Sequence, residues 1–562
     1  MGQMKRWLKG LGMIGLGLTL SACGNTGETA KEDSASSMTS EEKPLAETQE
    51  LRLTAASEIP SMDTAVATDL TSFTVMNNVF EGLYELGPDS KPVLGVAEEK
   101  PEISKDGKTY TFRIRKDAVW SNGEAVSADD FVYAWQKVVD PETASGYAYM
   151  YDGLIQNATE IINGEMETAD LGIEAVSENE LEITLVQPTP YFDQLLTLPF
   201  FFPQNRTYAE EQGTEYGMSS DHLVYNGPFV LKDWNQASGM EWTYEKNPDY
   251  WDNKTVELDK ITVNVIKEVS TELNLYENGN TDIATLTGSF VEQYKNDPDI
   301  VTTLQAVTFY IEMNNLNNGE ATPLNNPHIR MAIASAVDKK AYVDSVLQDG
   351  SDLIDGFVPA GLANNPKTDA DYREDAGDVL SYDLEKAEKA WETGLAELGK
   401  DQLELELITS DTESSKRLAE FLQSELEKNL PGLTIKLRSM PFSMKLDTVR
   451  KGTYDMAVNS WVADFADPIN YLERFDTDIN RMNYSNPEVD ALVDKAKATY
   501  DNDEARWDTL VEIEKVALGE DAALAPLYQS AESYLLRPQV QDMYRRVFGP
   551  DSYKWAWISA EK

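Results

Sequence analysis

Hydrophobic and polar positions change period several times along the chain, and each change marks an element. Thr109–Arg115 (TYTFRIR) alternates, the period of two that a half-buried strand requires. Ser127 precedes a run of helical period and has Asp130 at capping-box spacing, so a helix is predicted to start there and to end by Pro141. Leu181–Val186 and Leu258–Ile266 predict further strands. Asn326 and Pro327 supply a cap and a first helical residue, predicting a helix through Arg330 to about Val346. Tyr147, Tyr149 and Tyr151 recur at period two, which suits a packed strand face or turn and, less strongly, a binding surface.

From residue 383 the pattern is regular. A helix over Asp383–Leu398 leads to a strand at Leu403–Ile408 and then a helix with Leu418, Phe421, Leu422 and Leu426 on one face. A strand at Thr434–Leu437, a helix near 443–451 and a strand at 454–461 follow. This alternation predicts an α/β architecture with a parallel sheet and right-handed crossovers, in which ligands bind beyond the carboxyl ends of the strands. The last strand stops at two carboxylates, Asp464 and Asp467, with Pro468 behind them. An aspartate among Trp461, Val462, Ala463 and Phe465 is partly desolvated and wants a cation or hydrogen-bond donors. On these residues alone, turn and helix-capping chemistry is the stronger reading of Asp-x-x-Asp-Pro; the position past a strand end keeps a ligand role open.

The first residues place Lys5, Arg6 and Lys9 ahead of an apolar run, Leu11–Leu20, too short for a permanent membrane helix and suited to a cleaved secretory signal over 1–22. Leu20-Ser21-Ala22-Cys23 resembles a lipobox, which makes Cys23 the lipidated first residue of the mature chain; the competing reading is an ordinary signal with an incidental cysteine. The polar stretch 23–49 lacks aromatics and is expected to be a flexible tether. Gly10, Gly12 and Gly15 match a dinucleotide-site spacing, but no strand precedes them.

At 562 residues the chain exceeds one core, and about three domain-sized units are expected if each runs to about 150 residues. Its 98 acidic and 48 basic residues disfavour nucleic acid and anionic lipid as partners, the plainest reading being a solvated acidic surface. Two histidines and one cysteine leave no set for a zinc site and no disulfide within the chain, and no cofactor is expected. The chain has no G-x-S-x-G, P-loop or H-E-x-x-H motif, so enzymatic activity is not expected; a carboxylate pair of the glycosidase kind is the remaining catalytic option.

Several collinear stretches carry a family resemblance: SMDTAVATDLTSFTVMNNVFEGL (61–83), the block at 109–148, YNGPFVLKDW (225–234), NNPHIRMAIASAVDKK (325–340) and WVADFADP (461–468). The chain resembles the oligopeptide-binding lipoproteins of peptide ABC importers, within extracellular solute-binding protein family 5. That resemblance implies a two-lobe, periplasmic-binding-protein-like α/β fold of type II with an extra domain. Lobe I would comprise 50–81, 206–306 and 532–562, the extra domain 82–205, and lobe II 307–531. It implies a monomer held at the extracytoplasmic face of the cell membrane by lipid on Cys23, taking an oligopeptide ligand and delivering it to the importer's permease subunits. A receptor for one peptide pheromone is the nearest alternative; haem or oligosaccharide binders stand further off, and scarce histidine disfavours nickel.

Residue by residue, the resemblance makes Asp464 the partner of the peptide α-ammonium group. Thr68, Asp69 and Leu70 match a segment that hydrogen-bonds the peptide backbone, and Tyr147, Phe442 and the backbone of Ser460, Trp461 and Val462 match its other sides. Trp461 and Phe442 would wall side-chain pockets, the plainer reading being interface core. Basic residues that hold the carboxylate of short peptides in the family are replaced here by Val449 and Val458, with Arg450, Lys445 or Lys451 as possible substitutes. Longer peptides, or one signalling peptide, are therefore expected as ligands.

Overall fold

A computed structural model describes residues 43–237, 239–499 and 502–561, without the side chains of Glu413, Phe442, Ser443 and Leu446. The signal segment, Cys23 and most of the predicted tether lie outside the described residues. Ordered structure begins before residue 50. Ala46 N–H donates to the Ile558 carbonyl at 2.8 Å, and the buried Gln49 amide both donates to and accepts from the Ile558 backbone at 2.9 Å. A few polar residues that read as tether are thus held by the backbone of the chain's other end.

Glu50–Ala55 pairs in parallel with Lys260–Val265, and Glu241–Lys246 and Phe229–Lys232 complete this sheet in antiparallel fashion. Helix α1 (Leu70–Val79) follows the first strand. A second sheet is centred on Thr109–Arg113 and Glu180–Thr184, near the ranges the alternation predicts. The helix beside it, Ala128–Val139, starts at the predicted capping box, with Ser127 N–H donating to Asp130 at 2.9 Å. Asp130 also accepts from Trp120 and the Arg206 N–H, both at 3.1 Å, so its buried carboxylate is satisfied.

The third sheet holds β1 (Ile300–Met313), β2 (Leu403–Ser410), β3 (Leu433–Met440), β4 (Met456–Val462) and β5 (Leu524–Leu536). Its main path runs Ile283–Leu286, β5, β1, β4, β2, β3. Strand β2 is parallel to β3 and β4, and the helices Glu413–Asn429 and Phe442–Arg450 link these three in sequence, as the alternation predicts. The sheet as a whole is mixed, which corrects the expectation of a parallel one: β1 is antiparallel to both β4 and β5. Alternation reports only consecutive elements, whereas β1 and β5 come from distant parts of the chain. Their pairing slips between Leu304 and Thr308 and again at Phe309 and Tyr310, irregularities that bend strands.

The helix predicted from Pro327 to about Val346 ends at Ser335 and resumes at Lys339. Asp338 caps the new turn, and the buried Lys339 ammonium donates to Ile354 O, Leu380 O and Asp355 at 2.7–3.1 Å. A buried ammonium needs such partners, and an unbroken helix would not bring it to them.

Residues 81–85, 250–252 and 554 meet around one buried ammonium. Lys554 Nζ lies 2.6 Å from Glu85, 3.1 Å from Asp252 and 3.9 Å from Glu81, while Tyr250 and Trp251 donate to Glu81. Burial, and then the Glu85 charge, pushes the Glu81 carboxyl up to about 8. Unfolded, it would ionise near about 4.3. Between those values the fold keeps a proton that the unfolded chain has lost, so this group's stabilisation is full below the lower value and disappears as pH rises through the upper one. Urea unfolding is therefore expected to show stability falling from pH 5 to pH 9, with a smaller fall in Glu81→Gln; equal slopes would remove Glu81 as the cause.

Candidate functional site

Strand β4 has an unequal pair of edges. Along Met456–Val462 it pairs with β1, whereas β2 covers its other side only at Met456 and Ala457. The Val458 carbonyl accepts the buried Lys445 ammonium at 2.8 Å, and from Ser460 onward no strand covers that edge among the described residues. Val462 is 58% exposed, and Trp461 is tied by its indole N–H to Asn470 at 3.1 Å. An uncovered edge with outward side chains can accept an added extended chain.

The two aspartates beyond β4 have different fates. Asp467 binds Arg506 bidentately at 2.8 Å and accepts the Ile469 N–H at 2.9 Å, so the capping reading holds for it. Asp464 forms no ion pair within the described residues. Its N–H donates to Asn470 Oδ1 at 3.0 Å, and Asn470 Nδ2 reaches its carboxylate at 3.5 Å. Burial pushes the Asp464 carboxyl above the ordinary range, an effect that Asn470 and Arg474 only partly offset. Such a group gains from a cation.

Tyr147 and Tyr149 face it. Burial, and next the Asp464 charge, raises both phenols above their ordinary value. Tyr147 stacks on Phe200 at 4.4 Å and meets Phe73 of α1 edge-on at 5.4 Å, whereas Tyr149 is 56% exposed. Tyr151 is buried, with its hydroxyl on the Phe200 carbonyl at 2.7 Å. The three-tyrosine pattern is therefore part core and part open surface, on a 3-10 turn and not a strand.

Thr68 lies against this turn: a Cβ on Gly146 would come within 2.6 Å of its methyl. Among the described residues the Thr68 N–H and carbonyl make no backbone hydrogen bond, and Leu70 is 67% exposed. The Asp69 carboxylate is occupied in capping α1, accepting the Ser72 N–H and hydroxyl at 2.8 and 2.7 Å. Phe442 opens its helix, but its side chain lies outside the described residues. Of the possible substitute cations, Lys445 is buried on Val458 and Lys451 binds Asp447 at 2.6 Å; Val449 and Val458 are core.

A cavity of about 450 Å³ adjoins Asp464, bounded by Tyr149, Tyr191, Trp461, Asn470, Arg474 and Arg481 among others. Sequence reasoning missed Tyr191, which stacks on Phe465 at 4.8 Å, and both arginines. Tyr191 and Arg481 sit outside helices and strands and Arg474 in a one-turn helix, Glu473–Phe475, too short for a period to mark it. Among the described residues no group of three or more His, Cys, Asp or Glu side chains could hold a metal ion, and no helix is long and apolar enough to cross a membrane.

The comparisons with known proteins give the class to which this α/β fold and its carboxylate-bearing cavity belong. The chain belongs to the bacterial extracellular solute-binding proteins, family 5, which it matches over residues 91–483. It is 34% identical over 536 residues to the dipeptide-binding protein of Lactococcus lactis subsp. cremoris, covering 93% of this chain and 94% of that one. OppA of Listeria monocytogenes bound to peptide is similar at 40% identity and a TM-score of 0.71, over 92% of this chain and all of that one (100%). The pheromone receptor PrgZ is similar at 36% identity and a TM-score of 0.71, over 91% and 99%.

Proposed function

We propose that this protein captures oligopeptides outside the cytoplasm by their backbone and N-terminal amine and passes them to the membrane subunits of an ABC importer. The Asp464 carboxylate carries this reading, because it is half-buried, forms no ion pair among the described residues and stands at the end of a strand edge that no strand covers among them. A free α-amine with pKa near about 8 is charged at neutral pH and suits it. The peptide backbone would run between Ser460–Val462 and Thr68–Leu70, which secures affinity without choosing a sequence. In this reading 50–81, 206–306 and 532–562 form lobe I, 82–205 the extra domain and 307–531 lobe II. The protein is a monomer without cofactor or catalytic activity, tethered by lipid on Cys23. Peptide-binding relatives at 34–40% identity over nine-tenths of the chain support the ligand class.

Calorimetric titration with a mixed hexapeptide and its N-acetylated form tests the reading. The acetylated peptide is expected to bind about a hundredfold more weakly, which is about 2.7 kcal/mol. Equal binding would remove Asp464 from the site. Similarity to PrgZ favours a second reading, a receptor for one pheromone. A general carrier binds unrelated hexapeptides within about tenfold of one another, an effect of about 1.4 kcal/mol, whereas a dedicated receptor rejects most of them.

A further inference from the structure

The amine of a bound peptide fixes where its first side chain goes. That side chain starts two bonds from the nitrogen, and the cavity of about 450 Å³ that Asp464 itself lines is the space that opens beside the amine.

The charges lining this space do not cancel in the way the rest of the chain would suggest. Asp464 is occupied by the amine. Glu473 is paired with Lys497 at 2.9 Å, which leaves one carboxylate, Asp152, whose charge the Thr159 hydroxyl at 2.5 Å does not cancel. Two guanidiniums remain. Arg474 lies 3.8 Å over the Trp461 ring, and Arg481 stands on the same wall. Neither has a carboxylate within 4.0 Å among the described residues, although acidic residues outnumber basic ones 98 to 48 in the whole chain. Stacking on an aromatic face leaves the edge of a guanidinium, where its donors are, open to a planar anion; on Arg474 one of those donors meets the Tyr310 hydroxyl.

We propose that Arg474 and Arg481 form a subsite for an anionic first side chain, so that the preferred ligands are peptides beginning with glutamate or aspartate. The inference rests on the peptide reading, with the amine on Asp464. It runs against the global charge, which repels anionic peptides at a distance; the two arginines reverse that preference locally.

The test compares hexapeptides identical except for Glu, Gln or Lys at the first position, titrated into the whole protein at low salt. Glutamate is expected to bind about tenfold tighter than glutamine, the scale of one charge-assisted contact, with lysine weakest. Arg481→Gln, which disturbs no ion pair, should cut the Glu/Gln ratio to about threefold, and Arg474→Gln with Arg481→Gln should bring it near one, since each removes a partner of the carboxylate. Urea unfolding midpoints serve as the folding control for both variants. Equal binding of the Glu and Gln peptides overturns the subsite while leaving the carrier intact, and so does a ratio that survives both substitutions. If none of the peptides binds, the peptide reading falls and the subsite with it.

Discussion

Replacing Asp464 with alanine is expected to weaken binding of a free-amine hexapeptide by about 3–5 kcal/mol, the effect of stranding one member of a desolvated ion pair. That is on the order of a hundredfold to a few thousandfold in Kd. The same substitution should barely change the affinity of the N-acetylated peptide, which has no ammonium to strand. Asp464→Asn separates charge from shape, because an amide oxygen can still accept from Asn470 Nδ2. If calorimetry finds the alanine effect below tenfold, Asp464 does not hold the amine. The pH profile adds a sign. Binding requires an ionised Asp464, whose carboxyl is raised by burial, so affinity should begin to fall at a higher pH on acidification than an ordinary aspartate would give. On the alkaline side it should fall as the peptide amine loses its proton above about 8.

Replacing Lys554 with methionine is expected to cost about 3–5 kcal/mol of unfolding free energy, since it leaves the Glu85 and Asp252 carboxylates without their shared buried cation. The native ammonium stays charged because Glu85 and Glu81 outweigh the burial that would otherwise depress it. Lowering the pH should restore part of the loss, as the carboxyls take up protons in place of the missing charge. Adding Glu85→Gln to Lys554→Met should recover some stability, and urea midpoints for the two variants decide the matter. A Lys554→Met protein as stable as the parent at pH 8 would mean that water enters the cluster and solvates the acids.

Local pattern made some of this architecture legible and hid the rest for physical reasons. The capping box at Ser127, the Asn326–Pro327 start and the strand–helix alternation from 383 to 462 need only neighbours in sequence, and each forms where predicted. Strands β1 and β5 are the longest in the third sheet, yet their runs of Thr, Gln and Ser carry no clean alternation, because their faces change environment along their length. The break after Ser335 is set by what Lys339 finds across space. Asp464 stands out in the sequence as a carboxylate among aromatics at a strand end. Its distinction from Asp467 depends on Arg506, nearly forty residues away, which no spacing rule supplies. Arg474 and Arg481 become notable only when their lack of acidic partners can be seen.

The clasp between residues 45–49 and 557–559 joins positions 509 apart in the chain. A ribosome therefore finishes almost the whole polypeptide before Gln49 can find Ile558. Until then Gln49 lacks its two backbone partners at Ile558, although the strand it precedes can already pair with Lys260–Val265. Residues 45–49 are therefore fixed only after the chain between them and residues 557–559 has been made.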